Sequence, residues 1–192
     1  MIPSGHNHAH RRSLWKGPAL TTAVLLLIPI LGNHFVEGWN WPLPGFILVG
    51  TILFGLGLTY QLVTRHMDSL PYRAAVAIAL ATALLDVWGN FVQAADDVNP
   101  AAMLFLTVPL VGLIGAALAR FQPRGMTRAM FAVALAQGVV FVIVLSRNPP
   151  VTSWSAAVWR GFGGNAVSLM LFISSALLFR KAARAELRPG AV

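Results

Sequence analysis

The chain has 192 residues, 57% of them hydrophobic and 10% charged, with 14 Lys or Arg against 6 Asp or Glu and a formal net charge of +8. Too little polar surface is available to cover a water-soluble globule, so the composition excludes a soluble domain. There is no cysteine, which excludes disulfides, thiolate metal sites and iron-sulfur clusters.

Residues 1–17 read as a basic cytoplasmic tail carrying His6, His8 and His10 together with Arg11, Arg12 and Lys16. Its histidines have chelating chemistry, but short polar tails beside a membrane are ordinarily disordered. Six apolar segments follow, at 18–36, 45–63, 74–95, 101–119, 129–145 and 164–179. A helix needs roughly 20 apolar residues to cross a hydrocarbon core of about 30 Å, and each segment meets that length within a few residues. None alternates polar with apolar residues, so an outer-membrane barrel is excluded and helices must satisfy the backbone in lipid. The expected fold is all-α: a polytopic bundle of six transmembrane helices over 18–180, with a second basic tail at 181–192. The first segment reads as an uncleaved anchor, because no small-x-small cleavage site follows it. The connections are short, so one compact bundle is expected.

The basic residues sort by loop. Arg65 and Arg73 lie between segments 2 and 3, Arg120, Arg124 and Arg128 between segments 4 and 5, and Arg180, Lys181, Arg184 and Arg188 close the chain. The alternate loops hold Glu37, Asp96 and Asp97, with Arg147 and Arg160 as their cations. The positive-inside rule then puts both termini in the cytoplasm. The basic face is expected to attract anionic headgroups of the bilayer at about 1 kcal/mol per well-placed cation. No aromatic-interleaved basic patch accompanies the charge, so nucleic acid is not an expected partner.

At an offset of about 55 residues, Arg65, Gly57 and Arg73 align with Arg120, Gly112 and Arg128. Three hairpin repeats of about 50 residues, as in some transporters, would produce that pattern; so would low-complexity Ala/Leu/Val helices that each end in arginine. Gly50, Gly55, Gly57, Gly112 and Gly115 predict close helix packing. Pro29 and Pro109 each remove a backbone hydrogen bond within a segment and predict bends.

Trp39-Asn40-Trp41, Trp88, Asn90, Asn99-Pro100 and the run 114–137 resemble a group of uncharacterised small multi-span bacterial inner-membrane proteins. The most specific string is Ala119-Arg120-Phe121-Gln122-Pro123-Arg124-Gly125-Met126. The resemblance covers a little over half the chain. It implies a bacterial inner-membrane location and no particular chemistry. In that pattern an aspartate often stands at the position of Gly45 and an apolar residue at that of Asp86.

The most informative polar residues lie on the third segment, where Asp86, Asn90, Gln93 and Asp97 occupy i, i+4, i+7 and i+11 and so share one helical face. Asp86 is about 13 residues, or roughly 20 Å, from the cytoplasmic Arg73. An ionised carboxylate at such a depth costs at least about 2.5 to 3.5 kcal/mol on insertion scales, so it must be protonated, hydrated or paired. The stripe is expected to face the bundle interior. Asn33, His34 and Glu37 would reach the same outer level from the first segment, and Arg160 and Asn165 from a last loop at 146–163 that carries Pro149, Pro150, Trp154 and Trp159. The set Asp86, Asn90, Gln93, His34, Glu37, Asp97 and Arg160 would line an outward-facing polar vestibule. The structural alternative is that Asp86 and Asn90 are interhelical hydrogen-bond partners and the others sit at the headgroups.

His34 near the outer surface and His66 near the inner one are too far apart to ligate one haem, and a single histidine with scattered carboxylates is a poor zinc set. No cofactor is expected. Ser168, Ser174 and Ser175 have no base or orienter in sequence and read as packing residues; no enzyme is expected. Two functions remain: a small transporter or channel for a cation, proton or small polar solute, and an accessory or assembly subunit of a larger membrane complex. A membrane-protein partner or a second copy of the chain is compatible with either.

Overall fold

The structure, a computed structural model, describes residues 15–37, 41–65, 67, 69–96, 102–147 and 156–187. Regular structure among the described residues is helical: α1 (Lys16–Phe35), α2 (Leu43–Thr64), α3 (Leu70–Asp96), a 3-10 helix (Ala102–Leu106) leading into α4 (Thr107–Leu118), α5 (Pro123–Arg147) and α6 (Ala156–Glu186). The all-α expectation holds. Five of these helices, α1, α2, α3, α5 and α6, contain a stretch long and apolar enough to cross a membrane, as a multi-pass membrane protein requires.

The fourth segment departs from a single 101–119 helix. Its α-helical part has 12 residues, preceded by 5 in 3-10 form. At about 1.5 and 2.0 Å of rise per residue, respectively, the two together extend roughly 28 Å. The cause is Pro109 in the first turn of α4, whose ring would collide with the Phe105 carbonyl if the preceding residues were α-helical. Thr107 Oγ1 donates to the Leu104 carbonyl at 2.6 Å across the junction. The bend expected at Pro109 is thus a change of helix type.

The last two segments are longer than expected. Pro123, suited to a first helical position because its missing N–H has no partner there, opens α5 well ahead of residue 129. The helix α6 begins at Ala156 and ends at Glu186, so the expected loop 146–163 is mostly helix. Ser146 and Arg147 close α5, residues 156–163 open α6, and 148–155, with Pro149, Pro150 and Trp154, lie outside the described residues. Gly161, Gly163 and Gly164 look like loop residues by composition, but glycine is common in membrane helices. The boundary at residue 180 also shifts: α6 continues through Ala182 and Ala183, both buried. The tail 1–14 with its histidines, together with Trp39, Asn40 and Asn99-Pro100, lies outside the described residues.

In place of one bundle, the chain divides into two compact units, Met1–Arg65 and His66–Val192. In the first, α1 and α2 form an antiparallel hairpin. A Cβ at Gly57 would lie 3.1 Å from Pro18 Cβ, and one at Gly50 would lie 3.2 Å from Leu26 Cδ1. Asn33 closes the turn. The Trp41 N–H donates to its Oδ1 at 2.7 Å, and its Nδ2 donates to the Trp41 carbonyl at 3.2 Å. Lys16 and Arg65 lie at the opposite end of this hairpin.

In the second unit α6 packs along both α3 and α5, α4 packs on α5, and the 3-10 helix touches α3 and α5. The third and fourth segments meet through that 3-10 lead, whereas α3 takes α6 as its long partner. The unit is therefore not a pair of equivalent hairpins, and the 55-residue repeat finds no counterpart in its packing. Tyr72 meets Phe179 edge to face at 5.1 Å and Phe141 meets Phe162 in the same manner at 5.0 Å, which makes both α6 pairings antiparallel. Ser168, Phe172, Ser175, Phe179 and Ala182 form the buried stripe of α6, in alternating steps of four and three, the spacing of a helix–helix seam.

Antiparallel packing brings Arg73, Arg120, Arg124, Arg128, Arg180, Lys181 and Arg184 to one end of this unit. There the α4–α5 turn bends through Arg120 and Phe121, with φ of 47° and 58°, a left-handed conformation that costs about 1–2 kcal/mol per non-glycine residue. It is held from two sides. The Tyr72 hydroxyl donates to the Phe121 carbonyl at 2.5 Å, and Gly125 lets α5 approach Ala119 so closely that an added Cβ would lie 2.7 Å from the Ala119 Cβ. The 119–126 string is this turn.

Candidate functional site

Span-like helices offer few polar atoms, so the polar atoms buried between them define the site. Asp86 lies on α3, partly buried, and its Oδ1 accepts a hydrogen bond from Ser168 Oγ of α6 at 2.5 Å. Ser168 is itself buried. One turn away on α6, Asn165 Oδ1 accepts from Gln137 Nε2 of α5 at 3.1 Å, and Asn165 Nδ2 donates to the Gly161 carbonyl of its own helix at 2.9 Å. Nearer the basic end, buried Ser175 donates from Oγ to the Ala75 carbonyl at 2.9 Å. A polar seam thus runs along α6, bonded to α3 on one side and to α5 on the other.

Gln137 is 2% exposed and its Oε1 is buried without a hydrogen-bond partner. The orientation of both amides follows from their bonds. Because Asn165 spends its NH2 on the Gly161 carbonyl, it presents oxygen to Gln137, so Gln137 must present its own NH2 and leave its oxygen over. A buried acceptor in that condition costs about 1–3 kcal/mol.

The sequence-predicted residues distribute unevenly. Asp86 is at the seam. Asn90 and Gln93 follow it at i+4 and i+7 on α3, and Arg160 is in the first turns of α6 rather than in a loop; the side chains of these three, and the whole of Asp97, lie outside the described residues. His34, exposed in the last turn of α1 and edge-on to Phe35 at 5.0 Å, and exposed Glu37 belong to the first unit. What the structure brings together is therefore Asp86 with Ser168, Asn165 and Gln137, in place of the expected vestibule. Asn165 was expected at an outer loop and is a member of the seam. Ser168 and Gln137 were missed. A signal for each exists: Gln137 is the one strongly polar residue within the 129–145 apolar run, and an intramembrane polar residue is a site candidate by default. Asn165, Ser168 and Ser175 share one face of α6.

Among the described residues no group of three or more His, Cys, Asp or Glu could hold a metal ion. The arrangement instead offers one carboxylate and several neutral oxygens inside an apolar helical unit. Fold and site define the class: an all-helical, multi-pass membrane protein with a buried polar seam. No protein-family model, curated protein or solved structure matches the chain.

Proposed function

We propose that the protein is a six-span bacterial inner-membrane bundle with both termini in the cytoplasm, and that it passes a cation, proton or small polar solute by way of Asp86. The observation that carries this reading is the Asp86–Ser168 hydrogen bond between α3 and α6. A carboxyl group at membrane depth is costly, and here it is held against a second helix beside further polar side chains. Six spans are supported by the combined 3-10 and α4 length of roughly 28 Å, close to a hydrocarbon core. The gathering of arginines at one end of the α3–α6 unit supports the orientation, and the 119–126 resemblance supports the bacterial inner membrane.

The test is reconstitution of the full chain into liposomes with imposed proton, sodium and potassium gradients. Wild-type protein is expected to dissipate at least one of them and folded Asp86→Asn to dissipate none; equal flux in the two would overturn the reading.

A second reading, an accessory subunit, is favoured by Gly55, Gly89 and Gly138, where an added Cβ would meet nothing within 4 Å. Small residues left open on a helix suit close approach by another membrane helix. Stoichiometric foreign subunits in native mass spectra of protein extracted in mild detergent would favour this role.

A further inference from the structure

We propose that Gln137 supplies a ligand oxygen to the site, and that the species held with Asp86 is a monovalent cation of about sodium size. The inference rests on the proposed role of Asp86 and names the substrate of that site. A proton on the Asp86 carboxyl would need one acceptor at most and would leave Gln137 Oε1 as it is, buried and without a hydrogen-bond partner. A cation requires several oxygens, and the seam has them. Ser168 Oγ donates its only proton to Asp86 and keeps its lone pairs. Asn165 Oδ1 accepts one bond from Gln137 and has a second lone pair. Gln137 Oε1 has both of its lone pairs.

Ser168 and Asn165 are three residues apart on α6, a spacing that puts their side chains beside one another. The Asp86 and Gln137 side chains reach them from α3 and α5. The ligands are hard oxygens, which suit alkali and alkaline-earth cations over transition metals. Charge decides between those two groups. One carboxylate with neutral oxygens balances a single positive charge, whereas a divalent ion would leave an uncompensated charge in a low-dielectric interior.

Two readouts on the full chain test this. The first is thermal unfolding in detergent in sodium chloride against choline chloride at equal ionic strength. The second is uptake of radiolabelled sodium by proteoliposomes. Wild-type protein is expected to melt higher in sodium and to take sodium up saturably. Gln137→Met, similar in volume but without the oxygen, is expected to raise the half-saturating sodium concentration by about tenfold or more, and Asp86→Asn to abolish the uptake. If Gln137→Met fails to fold, Gln137→Asn, which keeps the amide but withdraws it, is expected to shift half-saturation in the same direction.

Half-saturation unchanged in the Gln137 variants, with uptake still lost in Asp86→Asn, would overturn Gln137 as a ligand. Flux of protons alone, lost in Asp86→Asn, with melting indifferent to sodium, would overturn the cation and leave Asp86 as the site. Flux indifferent to Asp86→Asn, or no flux of any ion, would overturn the inference together with the reading beneath it.

Discussion

Ser168 donates its hydroxyl proton to Asp86 at 2.5 Å across 82 positions of the chain, joining α6 to α3. Interhelical hydrogen bonds in membrane proteins average about 0.6 kcal/mol, and bonds to charged groups run somewhat higher. Ser168→Ala is therefore expected to lower stability by about 1 kcal/mol. In a double-mutant cycle with Asp86→Asn, measured by unfolding in mixed micelles, the coupling should be about 0.5 kcal/mol or more. Strict additivity would mean that the two side chains do not act as a pair.

Gly125 predicts a steric effect. A Cβ there would lie 2.7 Å from Ala119 Cβ and 2.9 Å from its Cα, and backbone cannot yield as a flexible side chain can. Gly125→Ala should cost about 1–3 kcal/mol. Adding Ala119→Gly should recover part of the loss, because it removes the Cβ contact and leaves the Cα one. Wild-type stability for the single variant would refute this packing of α4 on α5.

At the same end, Tyr72 is fully buried, bonds the Phe121 carbonyl and packs edge-on to Phe179. Tyr72→Phe keeps the ring contact and leaves a carbonyl without its donor, at an expected cost of about 1 kcal/mol. Phe179→Ala empties a fully buried site, at an expected cost of about 3–5 kcal/mol. The ranking is the check: a larger loss for Tyr72→Phe than for Phe179→Ala would mean that the hydroxyl bond, and not the aromatic packing, holds this end together.

The chain contains no cysteine, so single cysteines report topology directly. Introduced at Glu37 or Ser146, a cysteine should react with a membrane-impermeant thiol reagent added to intact spheroplasts. Introduced at Arg184 or Ser69, it should react only after the membrane is opened. The reverse pattern would invert the proposed orientation, and labelling of Ser146 and Arg184 positions from the same side would remove a crossing.

Asp86 was legible in the sequence because one carboxylate in a long apolar run is conspicuous, and the i+4 and i+7 spacing of Asn90 and Gln93 named its face. Its partner was not legible. A serine inside a membrane helix bonds its own backbone as readily as a neighbour: Ser174 Oγ donates to the Met170 carbonyl, while Ser168 and Ser175 reach across to α3. Only the rotational setting of α6 separates these cases. Helix limits suffered differently. Charge at Arg180 and glycines at 161–164 mark where hydrophobicity stops, and α6 outruns both because hydrogen bonding along a helix does not stop there. Pro109 was read correctly as an interruption, but its position in a first turn, which makes it a change of helix type, depends on where α4 begins.

The shortness of α4 bears on how such a chain enters a bilayer. Its 12 α-helical residues extend only about 18 Å, and the 3-10 lead leaves hydrogen-bond geometry poorer than that of a regular helix. During synthesis α4 emerges before α5, the partner whose Ala129 and Val133 fill the space against Gly115 and Gly112. A segment so short has little reason to partition into lipid alone; it gains one when the next helix arrives and the tight turn at Arg120 and Phe121 folds the two together. The unit of insertion here is the helical pair, and the turn is its hinge pin.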